Sequence, residues 1–525
     1  MWMLIRLRTL FLAAVFLAAT ADPLLAHAAT PNLVQIENSQ PGTTAWMLGP
    51  NVADDVNNQI KGYASATSVA LGSSINFYVT VNPAQTFTID VYRIGWYQGL
   101  GGRLMASSGP LAGTPQKPCA ADATTGSIDC GWTGSYTLFI PPTWTSGVFL
   151  ARLINSLGYE NYVVFVVRDG RPADLLYQMP VNTYQAYNNY PDDHLTGKSL
   201  YGYNSFGANT VAGTPQAVKV SFNRPYADSG VADFTTYEID FVRWAEGSGY
   251  DITYSTDVDT DLNPGQLRYS RGFISVGHDE YWSMGMRNGV EAARDAGVNL
   301  GFFGANDSYW QIRYEADANG VADRTIVCYK DPGLDPVQGP TDTVLWRQDP
   351  VNRPEQAMLG IQFTSEVNYG SNVPYVVTNS SHPLYNGTGF VDGASVPGIV
   401  GYEMDRSMAE FPLPAGTGYT LLSHSPFVSG TGVADYANSV VYRAPSGAMV
   451  FTAGTSSWDW GLDSITGPNM DPRIQQTTTN VLNALAGLVV PLTGQPLPTT
   501  PTVAVAGPGT PTGPLPSRPI NPTVP

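Results

Sequence analysis

From about Gln35 to Asp169, apolar and polar positions alternate in short runs, SINFYVTV, TFTIDVYRI, YTLFIP, GVFLARLIN and YVVFVVR, separated by Gly, Pro and Asn. A period of two without helical stretches predicts an antiparallel β-sandwich of immunoglobulin or fibronectin type over 35–169. Beyond Arg171-Pro172 the pattern changes. Apolar runs at 175–179, 251–255, 273–277, 300–304 and 449–453 read as strands, and helical periodicity falls between some of them. In 234–244, Tyr237, Phe241 and Trp244 share one helical face, with Asp233 as cap and Gly247 or Gly249 as stop. A second helix spans 283–296 with Ser283 as its cap. Strand, helix, strand in that order demands a parallel crossover. The expected fold of 172–488 is therefore α/β, a mostly parallel sheet with flanking helices, doubly wound in the manner of glutamine amidotransferases. The stretch 330–446 is less regular and is expected to decorate that sheet with loops and extra strands.

The two ends of the chain read differently. Arg6 and Arg8, the apolar run 10–19 and Ala26-His27-Ala28 form the charge, core and small-residue pattern of a secretory signal over 1–28. A secreted or extracytoplasmic protein is expected, with a retained anchor as the alternative. No later stretch has the roughly 20 continuous apolar residues of a membrane span. From 490 to 525, Pro, Thr, Gly and Val dominate with almost no charge, as in an extended, disordered spacer.

The formal net charge of −17 disfavours nucleic acid, whose phosphates require clustered Lys and Arg. An oligomer is compatible with the sequence, which does not fix the assembly state. In an oxidising compartment Cys119 and Cys130, flanking a polar loop, are expected to pair. Cys328, inside an apolar run, reads as a small buried hydrophobe. The loop from Gly95 to Arg103 offers Trp96 and Tyr97 either to a ligand or to a neighbouring part of the fold.

Chemistry concentrates at two strand ends. FISVGHDEYW runs from strand into His278, Asp279 and Glu280, and the next strand ends in Asn306 and Asp307. Ligands of open parallel sheets bind outside the carboxyl ends of the strands. Three uses remain open from the residues alone: a metal site, a pair of glycosidase carboxylates formed by Glu280 with Asp257 or Asp259, and His278 as base to a nucleophile. After signal removal only His194, His278, His382 and His424 remain, so a metal would need mainly oxygen ligands. A tyrosine-rich segment, Tyr184 to Tyr190, follows the first strand of the α/β part. A non-catalytic surface protein holding a glycan or polymer is the reading outside enzymology.

The segments VYRIGWYQGLGGR, TYQAYNNY, KSLYGYNS, FVRWAEGSGYDITYSTDVD, VGHDEYW, GVNLGFFGANDSYWQIRYE and TIVCYKD together resemble the carboxyl-terminal domain of the N,N-dimethylformamidase large (beta) subunit. The resemblance covers roughly Tyr92 to Leu462. It implies hydrolysis of a non-peptide amide C–N bond in a small molecule, at a mononuclear iron (Fe3+) held by two tyrosines and one glutamate. Carried over, the glutamate is Glu280, and the tyrosines are Tyr187 in YQAYNN and Tyr226 in RPY. Tyr184, Tyr190 and Tyr237 are the competitors. His278 and Asn306 would then orient water or the amide carbonyl. The chain departs from that pattern in its leader and Pro/Thr tail, and it shows no trace of the family's small subunit.

Overall fold

The computed structural model describes residues 30–202, 209–465 and 469–488. The expected leader and the Pro/Thr tail lie outside the described residues. In the amino-terminal third, a six-stranded sheet centred on Gln85–Ile94, Gly147–Asn155 and Glu160–Arg168 accompanies a three-stranded sheet of Ile60–Ala64, Ser74–Val81 and Tyr136–Phe139. Alternation explains their packing. Ile75, Phe77 and Val79 from the smaller sheet meet Ile89, Val91, Phe149 and Phe165 from the larger in one apolar core. The intervening residues Tyr92, Leu150, Val164 and Val166 enter a second core together with Tyr177, Phe241 and Tyr254. Strand Glu160–Arg168 is buried on both faces for this reason, as its unbroken apolar run YVVFVVR requires.

That second face is pinned by charge. Arg93 at the end of Gln85–Ile94 forms a fully buried ion pair with Glu246 of the helix Ile239–Gly247, through bonds of 2.7 and 2.9 Å. Tyr254 adds its hydroxyl to Glu246 at 2.8 Å. The loop holding Trp96 and Tyr97 turns inward here. Tyr97 is fully buried and donates to Glu37, while the Arg243 guanidinium lies over the Trp96 ring. Cys119 and Cys130 are joined in a disulfide, and Cys328 is buried.

The largest sheet has seven strands in the order Ile252–Thr256, Ala173–Met179, Ser270–Gly277, Asn299–Gly304, Met449–Thr452, Val440–Arg443 and Thr417–Leu421. The first five pair in parallel and the last two antiparallel. A four-stranded sheet of Lys219–Ser221, Thr325–Val327, Trp310–Glu315 and Tyr281–Ser283 lies alongside.

This corrects the expected α/β class, because the chain is dominated by strands in many mixed and antiparallel sheets, with few helices. No doubly wound arrangement with flanking helices forms. Between Asn299–Gly304 and Met449–Thr452, where the sequence left 330–446 to loops and extra strands, the described α-helical content is the four-residue turn Gln356–Leu359. The rest of that interval is short strands of three to six residues joined by segments rich in Gly, Pro and Asn, and so few residues per strand leave no legible period. The helix expected over 234–244 also differs. It breaks at Glu238, whose backbone leaves helical geometry, into Phe234–Tyr237 and Ile239–Gly247, and Asp233 makes no side-chain cap. At the break, the Glu238 carboxyl receives the hydroxyls of Tyr177 and Tyr184. The second helix runs Met284–Asp295, with the Ser283 hydroxyl accepting the Met286 N–H at 3.0 Å.

Candidate functional site

Strands Ser270–Gly277 and Asn299–Gly304 pair in parallel until Gly277 lies opposite Gly304. Both positions exclude a side chain. A Cβ at Gly277, where φ is +79°, would lie 2.7 Å from the Tyr237 Cβ, and one at Gly304 would lie 2.6 Å from the Gly277 carbonyl oxygen. The two strands thus close tightly, and the next residues, His278 to Glu280 and Asn306, leave the sheet edge together. Asp279 is consumed as an anchor. It accepts Gln178, Ser275 and the Trp282 indole N–H at 2.7–2.8 Å, and burial raises it to about 6.

Glu280 is the centre of what remains. Its N–H donates to the Thr183 hydroxyl at 2.9 Å, which fixes its backbone. Its carboxylate accepts the Tyr201 hydroxyl at 3.1 and 3.2 Å, one distance to each oxygen, and a hydrogen bond from Tyr187. The rings of Tyr187 and Tyr201 stack at 4.3 Å. Tyr281 donates its hydroxyl to that of Tyr201 at 2.5 Å, and the Lys330 ammonium sits 3.6 Å above the Tyr201 ring. On the other side, His278 Nε2 lies 3.3 Å from Glu280 and 2.7 Å from Glu403, which also accepts the Asn306 amide at 3.0 Å.

Electrostatics follow from burial. Burial pushes the Glu280 carboxyl upward, but His278, Lys330 and the hydrogen bond from Tyr187 hold it below its ordinary value. Burial pushes His278 down, and Glu403 and Glu280 overcome this, so the imidazole keeps a proton well above its usual range. Tyr187, Tyr201 and Tyr281 are raised far above 10 by burial and then by Glu280. Glu366 is raised to about 7 by burial, then by Glu403 and Glu280.

Of the residues expected from sequence, the structure brings together Glu280, Tyr187, His278 and Asn306. It does not bring Tyr226 to them. Tyr226 packs edge-on against Tyr184, 6.1 Å between centroids, with Arg224 and Arg324 as charged neighbours. Tyr184 is committed to Glu238, Tyr190 donates to Asn58 at 2.7 Å, and Tyr237 stacks against Tyr402 and Trp460. Tyr201, Glu403, Glu366 and Lys330 were not singled out from sequence. Tyr201 does sit within KSLYGYNS, but a Tyr beside Gly carries no period to mark it, and Glu403 lies in the stretch taken as decoration. The other two candidate carboxylates have structural partners. Asp257 accepts the Asn182 N–H at 2.8 Å, and Asp259 closes a capping box with Thr256 while pairing with Arg168.

Among the described residues, no group of three or more His, Cys, Asp and Glu side chains is arranged to hold a metal. Any metal at Glu280 therefore needs phenol oxygens, and two converge on that carboxylate. Such an all-oxygen set suits a hard cation. The profile of a family described as N,N-dimethylformamidase beta subunit-like, C-terminal, matches residues 88–473, more than two thirds of the chain. No curated protein matches the sequence.

Proposed function

The chain belongs to the N,N-dimethylformamidase beta subunit-like, C-terminal family, and from that premise we propose that it is an exported hydrolase of non-peptide amide C–N bonds that uses a mononuclear ferric iron. The observation that carries the reading is the pair of hydroxyls, from Tyr187 and Tyr201, directed at one buried carboxylate, Glu280. Those three side chains would hold the iron. When bound, it would act as a Lewis acid toward the amide carbonyl and acidify water near neutral pH.

The protein's own groups then have separate tasks. Lys330, over the face of Tyr201, offsets the charge of a phenolate there. His278 holds a proton at Nε2 between Glu403 and Glu280, where it is available to the leaving nitrogen. Asn306 and Glu403 fix the position of that imidazole. Glu366 is raised to about 7 by burial, with Glu403 and Glu280 as charged neighbours. Reaction of the amide with water yields a carboxylate and a protonated amine. The leader pattern of residues 1–28 supports export.

Elemental analysis of purified protein, its visible spectrum and a panel of formamides and other small amides test the reading. Expected are one iron per chain, a phenolate-to-iron absorption band and amine release. A colourless, metal-free preparation with full amide-hydrolysing activity overturns it.

A further inference from the structure

A separate cavity lies between the amino-terminal sandwich and the Glu280-bearing part. It is lined by Gly62, Ala64, Phe222, Arg224, Tyr226 and Arg324 among others, and none of Tyr187, Tyr201, His278 or Glu280 borders it. Two arginines reach it from the interior. Arg224 is 2 % exposed and Arg324 5 %. Arg224 donates Nη1 to the carbonyls of Lys198 and Tyr190, at 2.7 and 3.3 Å, and Nη2 to that of Asn188 at 2.8 Å. Its buried Nε has no hydrogen-bond partner. Arg324 likewise spends its donors on neutral groups, the Asn223 side chain and the carbonyls of Ala64 and Phe222. Neither guanidinium forms an ion pair among the described residues, in a chain whose net charge is −17.

Buried charges are ordinarily paired, and buried donors ordinarily satisfied. Here two buried guanidiniums line one cavity without an ion pair, Asp317 and Asp129 acting on Arg324 only at longer range, and an anion in it would supply the missing counter-charge. Burial pulls Arg224 down to about 9, as expected of a cation without its counterion. The free volume of about 30 Å³ compares with roughly 10–15 Å³ for a single water. It admits an ion of one to three heavy atoms.

We propose that this cavity is a binding site for a small monoanion, a halide or a formate-sized carboxylate, held by the Arg224 and Arg324 guanidiniums and the Tyr226 hydroxyl. The site stands independently of the hydrolase reading. A bound anion would neutralise the seam between the sandwich and the sheets and tighten it.

Crystals of the full chain soaked in sodium bromide test the site directly. An anomalous peak within hydrogen-bonding distance of the Arg224 or Arg324 guanidinium is expected, and a soaked crystal without one, where formate also leaves the melting temperature no higher than sulfate does, overturns the proposal. In solution, sodium chloride or sodium formate should raise the melting temperature by at least about 2 °C over sodium sulfate of equal ionic strength. Chloride alone, or formate alone, producing the rise tells which anion the site takes. An equal response to sulfate overturns the proposal. Arg224→Met should abolish the difference between the salts, and if that variant does not fold, the bromide map and the salt comparison of the unaltered protein still decide.

Discussion

The hydroxyl of Tyr201 lies 3.1 and 3.2 Å from the two carboxylate oxygens of Glu280, equally shared between them. Such sharing marks the position where a cation would replace the phenolic proton, and among the described residues it separates Tyr201 from the other tyrosines in this part of the chain except Tyr187. Tyr201→Phe should therefore lower iron content by about tenfold or more and remove much of the visible band. Tyr190→Phe, whose hydroxyl meets Asn58, should leave both unchanged. Equal iron content in the two variants, measured by elemental analysis, would refute the assignment of Tyr201.

Glu403 acts through another group. It lies 2.7 Å from His278 and receives Asn306, so it fixes the imidazole without a place among the three oxygen donors. Glu403→Gln should cut kcat by roughly 10- to 100-fold, with KM and iron content close to those of the unaltered enzyme. Loss of iron along with activity would show instead that Glu403 helps to build the metal site.

These two residues also show where the sequence stops being informative. His278, Glu280 and Asn306 were legible because they follow apolar strands, and a strand end is a place that a linear pattern can mark. Tyr201 meets Glu280 across a separation of 79 residues, and Glu403 arrives from a region of short irregular strands, so no local period announces either. From the sequence, Tyr226 in RPY was taken as the second tyrosine and Tyr201 was passed over. What sets it apart is Arg224, whose bonds to the carbonyls of Asn188, Tyr190 and Lys198 fix the neighbouring backbone and leave Tyr226 against Tyr184. The fold class failed for a related reason. Parallel strands such as Ser270–Gly277 were visible as apolar runs, but the strands of 305–448 are three to six residues long and too short to display alternation, so the sheets they form could not be ordered.

The Arg93–Glu246 pair joins the sandwich to the helix Ile239–Gly247, with both side chains fully buried. Removing one partner strands a charge in the interior, whereas removing both does not. Glu246→Leu and Arg93→Met should each destabilise the protein by about 3–5 kcal/mol, and the double variant Arg93→Met, Glu246→Leu by markedly less. Urea midpoints of the four proteins in this cycle provide the check, and additive losses would show that the pair is not coupled.

Glu238 makes stability depend on pH. Burial, with Asp233 and Asp279 adding to it, raises its carboxyl from 4.5 to about 8, against the hydroxyls of Tyr177 and Tyr184, which pull it down. The folded chain thus keeps a proton that the unfolded chain releases near 4.5. Folding binds protons throughout that window, so the stabilisation is full below about pH 4.5 and is lost as pH rises toward 8. The loss amounts to at most about 5 kcal/mol. Glu366 and Asp405, each raised to about 7, act in the same direction, so the unaltered protein by itself does not isolate Glu238. The comparison with Glu238→Gln does, because glutamine cannot titrate while the other carboxyls remain. Urea midpoints measured from pH 5 to pH 8 should fall more steeply for the unaltered protein than for the variant, with the two curves converging in slope above pH 8. Parallel curves across the window would mean that Glu238 is already ionised in the folded state, held so by the two tyrosine hydroxyls.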